Sequence, residues 1–169
     1  MTVDTSKTVS IELAGVDQVD HVGELWLALH RHESEVSPTH QLVADEMESW
    51  QRRRALYVDR LSADTGLLAL ALSGESVVGY AFACFEDGPD DTFPVGDRYA
   101  ELYSLSVAPP LRGRGIGTKL LDFVDRELAR HSIHDLRVVV MAGNGDAQRL
   151  YERRGLRIGE HVLYRFGAR

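Results

Sequence analysis

Residues 112–117 read RGRGIG, so Gly113, Gly115 and Gly117 alternate with Arg112, Arg114 and Ile116 just ahead of an apolar helical pattern. Glycine lets a backbone approach a ligand closely, and the free N–H groups of a helix start point at any negative charge placed there. The pattern that follows, Ile116, Leu120, Leu121, Val124 and Leu128, has helical spacing. The run before it, with Leu102, Tyr103, Leu105 and Val107, alternates as a strand does and stops at Pro109-Pro110, which cannot continue a ladder. Strand, glycine-rich turn and helix together make an anion site. Two phosphate-binding patterns do not fit it. A Walker loop needs Gly-Lys-Ser/Thr, and here Thr118 precedes Lys119. A dinucleotide fingerprint needs G-x-G-x-x-G straight after the strand, whereas this is G-x-G-x-G after an intervening Pro-Pro-Leu-Arg.

Arg112, Gly115 and Gly117 do fit Arg/Gln-x-x-Gly-x-Gly/Ala. A second segment, NGDAQRLYERRGL from Asn144 to Leu156, fits Asn-x-x-Ala-x-x-Leu-Tyr-x-x-x-Gly-Phe except that Leu156 stands at the final aromatic. Both motifs, in this order, resemble the acyl-CoA loop and the segment after it in the GNAT superfamily of N-acyltransferases. The resemblance spans residues 101–156. It implies one α/β domain over residues 1–169, with a mixed, mostly antiparallel central sheet, a splayed strand pair and flanking helices. It implies acetyl-CoA as co-substrate, no metal, and direct attack of a primary amine within a ternary complex.

The resemblance also assigns residues. Amides from Arg112 to Thr118, with Gly113, Arg114, Gly115, Ile116 and Gly117 between them, would hold the diphosphate of the cofactor. The arginine side chains either add charge there or are solvated. The pantetheine arm would lie as an added strand between the central strand and DLRVVVM (135–141). The Leu105 N–H would meet the thioester carbonyl, a donor placed where the oxyanion develops, and Val107 would pair with the arm beyond Ser106. Asn144 would bond the arm or shape the turn. Tyr151 would protonate the leaving thiolate, and Glu101 is the general base to be tested, acting through water because strand spacing sets it ~13 Å from Leu105. Glu101 is expected on the same strand face as Tyr103, Leu105 and Val107.

The remaining elements must position these groups. Residues 8–13 alternate as a first strand, and Asp17 or Asp20 is placed to cap a helix carrying Val22, Leu25, Trp26 and Leu29. His30 to Glu35 reads as its solvated end. The metal motif HExxH fails there because Val36 stands at the second histidine position. A second helix is expected over Leu42–Leu61, with Met47, Trp50, Leu56, Val58 and Leu61 available for burial and Arg52, Arg53 and Arg54 solvated. GLLALAL (66–72) and SVVGYAFACF (76–85) flank a short turn and read as a hairpin. An acidic loop runs over 86–98. After the glycine-rich helix, residues 135–141 read as a buried strand, and Asp146 is placed to cap a short helix through Arg154 that Gly155 stops. Residues 156–166 read as one or two last strands. Acceptor contacts are expected from 30–40 and 86–98, neither of which carries a motif.

The 169 residues carry a net charge of −7, divided into −11 over residues 1–100 and +4 over 101–169. A basic half suits an anionic cofactor and an acidic half draws a cationic acceptor, so a small amine is the first choice and a protein N-terminus or lysine the second. Nucleic acid is disfavoured by the negative total and the lack of a basic-aromatic cluster. Cys84 is the single cysteine and sits in an apolar run as a core residue, which fits a reducing cytoplasm. No apolar run reaches membrane-span length, and residues 1–10 lack the apolar core of a signal peptide. A homodimer fits the resemblance. A regulatory acyl-CoA sensor without turnover is the alternative from another class.

Overall fold

The computed structural model describes residues 8–39 and 41–167. Five strands form one sheet in the order β1-β2-β3-β4-β5: β1 (Val9–Ala14), β2 (Gly66–Ser73), β3 (Ser76–Asp87), β4 (Arg98–Val107) and β5 (Leu136–Val138). The first four pair antiparallel and β5 joins β4 in parallel. This is the mixed, mostly antiparallel sheet expected, and the 66–85 hairpin turns at Gly74 with φ 63°.

Both faces of the sheet are covered, and β2 and β3 alternate accordingly. Ala69, Ala71, Ala81 and Ala83 face α3 (Ile116–Arg130), packing with Leu120, Leu121 and Val124. Leu68, Leu70, Tyr80 and Phe82 face α1 (Gly23–Val36) and α2 (Glu46–Ser62), packing with Trp26, Trp50 and Tyr57. Small residues on one face let α3 lie close to the strands; large ones on the other fill the space beneath two helices. Tyr57, absent from the expected buried set, is fully enclosed and donates to Ser104 Oγ at 2.6 Å, while Met47 is 52% exposed. Cys84 is buried as expected, and desolvation pushes its thiol up to about 12.

Several boundaries differ from the sequence reading. A 3-10 turn over Val16–Val22 precedes α1, and Asp20 pairs with Arg54 instead of capping it. Helix α2 starts at Glu46 because Asp45 accepts from the Met47 and Glu48 N–H groups. His30 is not solvated: it is 5% exposed, stacks on Trp26, and its Nε2 lies 2.9 Å from the Val43 carbonyl. Arg53 leaves the solvated arginine set, its guanidinium lying 4.3 Å over the Trp26 ring. Asn144, not Asp146, caps α4 (Gly145–Glu152), accepting from the Ala147 N–H at 3.1 Å. Gly155 is the left-handed stop, with φ 89°.

The last strands are absent. Residues 156–167 pair with nothing in the sheet, and Ile158, Val162, Leu163 and Tyr164 are exposed. Alternation is a local property, whereas a strand needs an edge in register. The β5 edge offers only three residues, so the run has no ladder to join. The expectations for residues 1–7 and His40 lie outside the described residues.

Candidate active site

The glycine-rich turn folds as its composition requires. Gly113 and Gly115 have φ of 74° and 78°, a left-handed conformation that side-chain-bearing residues avoid. Gly115 is the N-cap of α3, and the first intrahelical donor is Lys119, to the Gly115 carbonyl. The N–H groups of Ile116, Gly117 and Thr118 therefore precede the helical ladder and have no partner within it. Ile116 buries its side chain in the core, which anchors the turn, while residues 112–115 and Thr118 are exposed. Arg112 is exposed but tethered. Its Nε donates to the Val107 carbonyl at 3.1 Å, tying the loop to the end of β4.

Strands β4 and β5 pair only at Ala100↔Leu136, Glu101↔Arg137 and Leu102↔Val138, then separate. A β-bulge explains why. The β3–β4 register jumps so that Ala83 faces Leu102 while Phe82 faces Ser104, leaving Tyr103 as an extra residue. Two hydrogen bonds show the consequence. The Ala100 N–H donates towards β5, to Asp135, while the Ala108 N–H donates to Val78 on β3. Residues of equal parity thus point to opposite edges, and counting back from Ala108 turns the N–H groups of Val107 and Leu105 towards the open split. Ser106 is occupied elsewhere: its hydroxyl donates to the Leu25 carbonyl at 2.9 Å, fastening β4 to α1.

The same bulge separates Glu101 from Leu105. Glu101 pairs with Cys84 in register and Leu105 with Ala81, and those partners pack on opposite faces. The shared face expected from simple alternation is therefore corrected. Glu101 lies 3.9 Å from Arg137, and desolvation moves its carboxyl above the ordinary glutamate range.

A narrow cleft occupies the split. Leu102, Tyr103, Ser104 and Leu105 line one side, and Val138 to Met141 line the other. Asn144 and Tyr151 from α4 complete it, together with Leu29 and Glu33 from α1. Helix α1 reaches this place because Gly143 permits it: a Cβ there would lie 1.8 Å from the Val36 carbonyl oxygen. Burial pushes the Tyr151 phenol well up, and the Glu33 charge adds to the shift, so the group stays protonated throughout the neutral range. Glu101 is not among the lining residues. Glu33, which sequence reasoning passed over, is; its only signal was membership of the unmotifed segment 30–40.

A larger hollow beside Arg31, Glu35 and Glu46 shares no lining residue with this cleft. Among the described residues, no cluster of three metal-ligating side chains occurs and no helix is long and apolar enough to cross a membrane.

The chain matches the family model described as Acetyltransferase (GNAT) family over residues 26–156. A GCN5-related N-acetyltransferase from Ralstonia eutropha superposes with TM-score 0.76 at 18% identity, covering 94% of this chain and 99% of that one. The aminoglycoside acetyltransferase AAC(6')-Iy, solved with the bisubstrate analogue CoA-S-monomethyl-acetylneamine, gives 0.68 at 16%, covering 95% and 99%. A ribosomal-protein-alanine N-acetyltransferase from Brucella melitensis gives 0.65 at 18%, covering 95% and 100%. Comparison with curated protein sequences gives no match.

Proposed function

Since the chain belongs to the GNAT acetyltransferase family, we propose that it transfers an acetyl group from acetyl-CoA to a small primary amine in a ternary complex. The observation that carries this reading is the split between β4 and β5. It sets a protonated, buried phenol beside inward-facing strand amides, at the end of a strand that leads to the glycine-rich turn. Diphosphate oxygens fit the exposed N–H groups at the start of α3. The pantetheine amides extend the edge of β4 as an added strand, and the Leu105 N–H donates to the thioester oxygen as negative charge develops on it.

The reaction balances on these groups. The acceptor ammonium loses a proton through water to Glu101, and the nitrogen lone pair forms the C–N bond. The C–S bond then breaks, and sulfur takes the Tyr151 proton. The proton lost by nitrogen after attack returns to the phenol, so one proton is released per turnover.

A small amine is favoured over a protein N-terminus because the cleft is narrow, and the AAC(6')-Iy neighbour carries an amine-derived analogue. A second copy of the chain is part of this proposal, covering Ile158, Val162, Leu163 and Tyr164; sedimentation showing only monomer rejects that part.

The test is an amine panel with acetyl-CoA and detection of free thiol. Acceptor-dependent thiol release supports transfer. Tight acetyl-CoA binding with no acceptor-dependent release from any amine, peptide or hydroxylamine would favour the sensor.

A further inference from the structure

Glu33 stands at the wall of the cleft opposite β4, in the last turn of α1. Three observations set it apart. It is half-buried, and its carboxylate forms no salt bridge among the described residues. It shares the cleft with Tyr151 closely enough for its charge to raise the phenol. The cleft lining they share mixes apolar Leu29, Leu102, Leu105 and Val138 with polar Ser104 and Asn144. A half-buried carboxylate with no salt bridge, beside the proposed acyl-transfer centre and with leucine and valine side chains near it, is complementary to a cation carried on a hydrocarbon arm.

We propose that Glu33 receives the ammonium of the acceptor, making the preferred substrate an unbranched primary alkylamine that reaches the α1 wall of the cleft as a cation, while the pantetheine arm lies along β4. This deepens the acetyl-transfer reading and rests on it. Arg53, His30 and His32 provide positive field around Glu33, whereas Tyr151 and Tyr103 face it from α4 and β4. Burial lifts the carboxyl above its ordinary value and outweighs Arg53, the leading opposing influence; an incoming ammonium would offset that desolvation. Arg53 is a positioning residue: stacked on Trp26, it keeps its charge near Glu33 without ion-pairing to it. Glu33 thus selects and holds the acceptor, while Glu101 takes the proton through water.

The experiment compares Glu33→Gln with the unmodified enzyme on n-butylamine and 1,4-diaminobutane, both cationic at neutral pH, and on hydroxylamine, which is mostly neutral there. Acetyl-CoA affinity is measured alongside by calorimetry. The expected result is a KM raised ~10–100-fold for the two alkylamines, the size of a lost hydrogen bond to a charged group. The change with hydroxylamine should stay within about threefold, and acetyl-CoA affinity should be unaltered. Equal KM for alkylamines in both proteins overturns the inference, and so does an equal loss on hydroxylamine. Unmodified enzyme that acetylates hydroxylamine but neither alkylamine overturns it while leaving acetyl transfer intact. Enzyme that acetylates none of them removes the reading on which it rests.

Discussion

The two sides of the cleft are built on opposite principles. The proposed donor side, from β4 through the start of α3, offers main chain to its ligand: left-handed glycines at 113 and 115, leading helix amides, and strand N–H groups exposed by a bulge. The proposed acceptor side would use side chains contributed by distant elements, Glu33 from α1 and Glu101 from β4, set by packing. Main-chain recognition constrains the local sequence, because only glycine tolerates the required dihedrals and approach. Side-chain recognition from separate elements leaves one polar residue in an otherwise ordinary helix. The contrast teaches that a motif marks where the backbone does the binding.

The most severe break is expected where both sides meet. Tyr151→Phe keeps the ring and deletes the hydroxyl proposed to serve the departing thiolate. Its kcat should fall ~10²–10⁴-fold, the usual cost of a lost general acid, while acetyl-CoA affinity and fold stay nearly unchanged. An acyl donor with a more acidic thiol should restore part of the rate. Normal kcat with chemistry shown to be rate-limiting would remove the acid role.

On the donor side, Gly115→Glu introduces a side chain at φ 78° and a negative charge beside the amides proposed to hold the diphosphate. Acetyl-CoA affinity should drop ~10–100-fold through strain plus like-charge repulsion, with amine KM little altered. Unchanged calorimetric affinity in a folded variant would mean that the glycine-rich turn is structural only.

The smallest effect belongs to Glu101→Gln. With its proton arriving through water, the loss in turnover should be about tenfold, below the usual range for a directly contacting base. Because desolvation raises its carboxyl, the acidic limb of the unmodified pH–rate profile should lie above the ordinary glutamate value. Activity should rise with pH as that group ionises, and the limb should vanish in the variant. A profile identical in both proteins returns Glu101 to a structural partner of Arg137, and the acceptor side would then depend on Glu33 alone.

Much was legible along the chain. The hairpin, the glycine-rich turn, the strand before it, the helix after it and the Gly155 stop all depend on local dihedral preference or on periodicity, so they could be read directly. The segment from Asn144 to Tyr151 was readable as a unit for the same reason, although which residue caps the helix was not. Asn144 wins over Asp146 because its side chain sits where the Ala147 N–H needs an acceptor.

Other features needed the whole chain in place. The Tyr103 bulge is invisible to alternation, since it exists only against β3, yet it turns the Leu105 amide towards the split and places Glu101 on the other face. The sequence of residues 156–166 supplies a strand pattern, and tertiary structure withheld the strand because β5 ends at Val138. His30 and Glu33 looked alike on the chain, as polar residues near a helix end. Packing decided between them: His30 turns under Val43 and Ser49, and Glu33 turns towards Tyr151. Composition and local pattern determined the geometry of the proposed donor site, because backbone geometry is written into neighbouring residues. The proposed acceptor side was decided by three-dimensional packing, because its charges come from elements far apart in sequence and are shifted by burial.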